Sequence, residues 1–158
     1  MTLPGKHGPN RLANYLDVHA SYIADLLAEG FVVEDQSRFT FLPGLVVLEG
    51  VIVCLDGIAL EVRKEIEVIS GRGMTARVQT RRFRYHAWIR GRHNILRYES
   101  AHEHREHAHK HLYDVFGSGR ETETIDLATE DAIPTLGEVL RELQAWHDAN
   151  AAKLSYLT

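Results

Sequence analysis

Three consecutive segments, each apolar or alternating and each ended by a turn signal, restrict this chain more than any other feature. Residues 45–55 are almost wholly apolar, Asp56-Gly57 follows, and Ile58, Leu60, Val62, Ile66 and Val68 then alternate with Glu61, Arg63, Glu65 and Glu67. An unbroken apolar run reads as a strand covered on both faces, and a period of two as a strand with one wet face. Asp-Gly joins such runs as a two-residue hairpin turn. Lys64 is the one residue out of step. After Gly71-Arg72-Gly73, residues 75–89 alternate again, with Phe83, Tyr85, Ala87 and Ile89 on one face and Arg82, Arg84, His86 and Trp88 on the other. If Gly91-Arg92 is the next two-residue loop, residues whose numbers sum to 183 stand opposite one another. His86 then faces Arg97, and Arg84 faces Glu99, with opposed β-carbons about 5 Å apart.

Helical periodicity brackets this meander. In residues 11–29, Leu12, Tyr15, Leu16, His19, Tyr22, Ile23, Leu26 and Leu27 recur at three- and four-residue spacing. Asn10 is placed to cap that helix and Gly30 to end it. Near the C-terminus, Pro134 precedes a capping box of Thr135 and Glu138, and Leu136, Val139, Leu140, Leu143 and Trp146 supply a buried stripe. Between them, Phe39 and Phe41 suggest one more strand, 110–116 a short strand and 124–127 an edge strand. The expectation is an α+β fold: N-terminal helix, antiparallel β-meander of five or six strands, and C-terminal helix packed on the sheet. A chain of 158 residues with 44% hydrophobic residues fits a single domain spanning 1–158.

The remaining composition narrows the function classes. No apolar run approaches the ~20 residues that span a bilayer, and the N-terminal residues carry no secretory leader, so a cytoplasmic location without membrane association is expected. Cys54 is the only cysteine, which excludes an internal disulfide and a cysteine-rich zinc site. It sits in an apolar run and reads as an inert buried thiol. Glycine-rich phosphate loops, nucleophile elbows and dinucleotide fingerprints are missing from the sequence.

Charge and histidine point elsewhere. The net charge of -4 is segregated: residues 62–111 hold twelve Lys/Arg against five Glu, +7, leaving the remainder at -11. Seven of the ten histidines fall within residues 83–111, mixed with Arg84, Arg90, Arg92, Arg97, Arg105 and Lys110. Groups that titrate near neutrality beside groups that stay cationic suit a site acting on an anion. Three readings compete. A metal-independent ribonuclease would use histidine, or Glu99, for proton transfer, with Arg97 and Lys110 stabilising the transition state. A metal-dependent hydrolase would use His102, His104, His107, His109 and His111, with Glu99 or Glu103, as ligands. A solvated histidine-rich loop would do neither. A non-catalytic RNA- or protein-binding module on a basic sheet face is the further alternative. The first reading is favoured, so no cofactor and no bound metal are expected.

The residues resemble the TumE family of toxin–antitoxin proteins in five motifs taken in order. These are Phe83-Arg84-Tyr85-His86, Arg97-Tyr98-Glu99, His102-Glu103-His104, His109-Lys110-His111 and Pro134-Thr135-Leu136-Gly137-Glu138-Val139. The resemblance covers roughly residues 45–146 and leaves the helix at 11–29 outside. The family usually has adjacent paired histidines after the Arg-Tyr-acid triplet, whereas Glu103 separates His102 from His104 here. The resemblance implies a type II toxin acting on RNA and neutralised by a cognate protein antitoxin; it leaves a homodimer open. It assigns the active site to His86, Arg97, His102, His104, His109, Lys110 and His111, to which Glu99 is added as a catalytic candidate. Arg82, Arg84, Tyr85, Tyr98 and Arg105 are the substrate-binding candidates.

Overall fold

A computed structural model describes residues 6–102 and 105–155. Two helices and one antiparallel sheet make up an α+β fold, with nine strands rather than five or six. In chain order they are β1 (Asn10–Arg11), α1 (Leu12–Ala28), β2 (Val32–Asp35), β3 (Arg38–Leu42), β4 (Leu45–Cys54), β5 (Ile58–Ser70), β6 (Arg77–Ile89), β7 (Asn94–Glu99), β8 (Ala108–Tyr113), β9 (Glu121–Leu127) and α2 (Leu136–Ser155). The lateral order is β2-β4-β5-β6-β7-β8-β9. The additional strands arise because the two long strands share an edge: β4 pairs with β3 over one half and β2 over the other, while β6 pairs with β7 and with β1. Gly50 lies where β2 gives way to β3. Its φ of 138° is a glycine conformation, and a Cβ there would stand 2.6 Å from the Gln36 carbonyl oxygen.

The expected register between β6 and β7 is found: Arg84 faces Glu99, His86 faces Arg97, and Ala87 faces Leu96. It then shifts, so that Trp88 faces Asn94, and the connection runs over 90–93 instead of two residues. The turn at Asp56-Gly57 is likewise one residue longer than expected, spanning Leu55–Gly57, with φ of 55° at Asp56 and 80° at Gly57. The strand expected at 110–116 begins at Ala108, and the short edge strand extends to Glu121–Leu127.

Alternation places Leu48, Ile52, Leu60, Val62, Phe83, Tyr85, Leu96 and Tyr98 on one face, where they form a core with Ile23 and Leu26 of α1 and Val139, Leu140 and Leu143 of α2. Each fully buried aliphatic or aromatic side chain contributes about 1.5–3 kcal/mol before ordering costs. Lys64 occupies this face too, almost fully buried, its ammonium 4.7 Å from the centre of the Tyr15 ring. The caps are mixed. Thr135 Oγ1 accepts from the Glu138 amide, and Glu138 accepts from the Thr135 amide, as the capping box requires. At α1 the cap position is Arg11, without a side-chain bond, and Asn10 instead accepts from the Arg11 amide. His19 packs as its stripe position implies, bonded to the Tyr22 hydroxyl and edge-on to Phe39. Cys54 is buried, which pushes its thiol up to about 12. No helix among the described residues is long and apolar enough to cross a membrane.

Candidate functional site

With both helices on one side, the opposite face of the sheet carries the alternate residues Arg82, Arg84 and His86 of β6, Arg97 and Glu99 of β7, and His109 and His111 of β8. β7 pairs with β8 so that Arg97 faces His111 and Glu99 faces His109. Four side chains therefore converge on the Glu99 carboxylate. Its Oε1 lies 2.8 Å from Arg97 Nε, at an angle short of a hydrogen bond, and 3.5 Å from Arg84 Nε. Its Oε2 lies 3.1 Å from His109 Nε2 and 3.8 Å from His111 Nε2. The two imidazoles meet edge to face, with centroids 4.8 Å apart.

These histidines are not surface groups: His109 is 1% exposed and His111 8%. The His102 ring lies 5.2 Å from that of His109. Their Nδ1 atoms are committed to oxygen acceptors. His109 Nδ1 donates to the His107 carbonyl at 3.2 Å, and His111 Nδ1 donates to Glu121 on β9. The bond from His111, with help from Thr124, holds the Glu121 carboxyl below its usual range. An open cleft of about 480 Å³ adjoins the carboxylate, lined by Arg82, Arg84, Glu99, Ser100 and His102.

The other expected residues divide. His86 is on the same face, opposite Arg97, with Nε2 2.7 Å from Asn94 Oδ1 and its ring against Trp88. Arg84 is shared with Glu61 at 3.9 Å. Arg105 is exposed and 3.5 Å from Asp126, His102 is exposed in a bridge with Arg105, and His104 lies outside the described residues. Three residues leave the group. Lys110 sits between His109 and His111 in β8, so alternation turns it to the helix side, where it binds Glu142 at 2.8 Å. Tyr98 is there too, its hydroxyl donating to Glu142 at 2.7 Å. Tyr85 is 1% exposed in the core, stacked on Phe83, and has no route to a substrate on the open face.

Glu121 and Asn94 were missed. Glu121 opens an acidic segment that reads as a loop, and only the β8–β9 pairing brings it beside His111. Asn94 belongs to the segment that a two-residue turn would have kept away from His86.

The arrangement combines fixed cations, a carboxylate and two buried imidazoles beside a cleft open to solvent. It can hold a phosphate-like anion and move or accept a proton next to it. No curated protein and no solved structure matches the chain. A family model described as Toxin TumE matches residues 20–147, a wider span than the resemblance over 45–146 and one that takes in part of α1. The chain belongs to the TumE toxin family.

Proposed function

We propose that this protein is the toxin of a toxin–antitoxin pair and cleaves RNA at the Glu99 centre on the open face of the sheet. Family membership supports the toxin role and implies an antitoxin partner. The observation that carries the RNA reading is the convergence of Arg84, Arg97, His109 and His111 on Glu99, beside a cleft with Arg82 and Arg84 in its wall. Arg82 and Arg84 bind the phosphodiester. The 2′-oxygen attacks phosphorus as its proton passes to a base, the bond from phosphorus to the 5′-oxygen breaks, and that oxygen takes a proton from water in the open cleft as it leaves. Charge accumulates on the non-bridging oxygens, where Arg84 and Arg97 stabilise it. Glu99, His109 and His111 activate the attacking oxygen, and His86 stands opposite Arg97 on the neighbouring strand.

The test is growth arrest on expression, with cleavage of defined RNA by the purified chain. Arg84→Ala and Glu99→Gln are expected to reduce cleavage 100-fold or more and to relieve arrest, with unchanged circular dichroism. Full toxicity in both folded variants would sink the reading. Stoichiometric RNA binding without turnover would replace it with a binding module, and that binding would weaken steeply with salt.

A further inference from the structure

We propose that Glu99, His109 and His111 form a binding site for one divalent first-row transition-metal ion. The inference begins with the hydrogen positions that the neighbours dictate. A backbone carbonyl only accepts, so the bond between His109 Nδ1 and the His107 oxygen puts the proton on His109 Nδ1. The Glu121 carboxylate puts one on His111 Nδ1 by the same reasoning. In a neutral imidazole so protonated, Nε2 is a lone pair. His109 Nε2 stands at hydrogen-bond distance from Glu99 Oε2, itself an acceptor, at 3.1 Å, and His111 Nε2 lies 3.8 Å from the same oxygen. Three acceptors thus converge on one spot, two of them on buried histidines and the third on a half-buried carboxylate.

Protonation resolves only half of this. An imidazolium at His109 would donate to Glu99 at hydrogen-bond distance. His111 Nε2 is different: it is buried and has no hydrogen-bond partner among the described residues, so adding a proton there creates an orphan donor and omitting it leaves an orphan acceptor. A cation between the three atoms satisfies all of them. The ligand atoms lie within 4.8 Å of one another. A tetrahedral ion with bonds of ~2.1 Å needs neighbouring ligands ~3.4 Å apart; the two distances to Oε2 bracket that value, and binding requires the two imidazole nitrogens, within 4.8 Å of each other, to close to it as well.

The surroundings match a ligand set in kind as well as in spacing. Metal-bound histidines donate their second ring N–H to a carboxylate or a backbone carbonyl, which fixes the tautomer. His111 does the first and His109 the second. The nearest contacts of Arg84 and Arg97 are to Oε1, and those of the two imidazoles are to Oε2. Two histidines and one carboxylate select imidazole-loving divalent ions and leave a coordination position free. Use of that position for a phosphodiester oxygen rests on the function proposed above; the ligand set does not.

The experiment is calorimetric titration of the EDTA-stripped full chain with Zn²⁺, paired with the visible spectrum after adding Co²⁺. The expected result is one Zn²⁺ per chain, a tetrahedral Co²⁺ absorption band, and a loss of affinity of at least 100-fold in His111→Ala. Glu121→Gln, which touches no ion, is expected to lose 10–100-fold, and it guards against a folding defect in the alanine variant. Absence of saturable binding, or equal binding by wild type and His111→Ala, would overturn the site. RNA cleavage that persists after EDTA would remove the ion from the reaction and leave the RNA reading standing. Zn²⁺ binding without RNA cleavage would do the reverse.

Discussion

Lys64 interrupts the polar–apolar alternation of β5 and takes a core position, 5% exposed, with no ion-pair partner among the described residues. Burial lowers its pKa from 10.5 to about 8. The folded chain therefore binds fewer protons than the unfolded one between those values, and stability rises with pH across that window. Below about pH 8 the cost of the buried charge is fully present. Lys64→Met is expected to stabilise the protein by about 1–3 kcal/mol at pH 7, and to flatten the rise between pH 8 and 10. Urea unfolding at the two pH values checks this, and a profile unchanged by the substitution would place the ammonium in water. Lys110 also departs from its neighbours: it is flanked by two site histidines, yet its charge is spent on Glu142.

At the scale of elements, strand pairing builds the site. β6 supplies Arg84, β7 supplies Arg97 and Glu99, β8 supplies the two buried histidines, and β9 supplies Glu121, so four adjacent strands must hold register for the cluster to exist. The same dependence applies at the far edge, where β4 has to pass the β2–β3 crossing at Gly50. Gly50→Ala combines a φ that alanine avoids with a Cβ 2.6 Å from both Gln36 O and Ser37 Cα. It is expected to destabilise by about 2 kcal/mol or more, read as a drop in thermal midpoint. A midpoint within a degree of wild type would mean that the crossing relaxes freely. Much at this scale is legible in periodicity. The buried stripe of α2, its capping box and the β6–β7 register through Ala87 follow from local spacing. The bulge between Ala87 and Trp88, the sharing of β4 by two strands and the start of β8 do not, because each depends on a partner distant in sequence.

For the molecule as a whole, the helices occupy one face of the sheet and leave the other to charge. Arg63, Arg82 and Arg84 stand exposed there, while the acidic excess lies outside residues 62–111. This asymmetry gives an anion one face to approach. On the proposed function, RNA affinity falls linearly on logarithmic axes as salt rises, and Arg82→Ala lowers that slope by about 1 without changing thermal stability. Filter binding at several salt concentrations measures it. A slope identical to wild type would move the RNA path away from the cleft.

Sequence alone determined the α+β order of elements, the antiparallel meander, and the pairings His86–Arg97 and Arg84–Glu99, because alternation and turn residues act over a few positions. Tertiary structure alone decided which sheet face the helices cover. That choice buried Tyr85, sent Lys110 and Tyr98 to Glu142, and set His109 and His111 against Glu99. It also brought in Glu121, ten residues beyond His111, through a β8–β9 pairing that no local periodicity announces. Covering a face is a property of contacts between distant segments, and a strand's own pattern shows only that it has two faces.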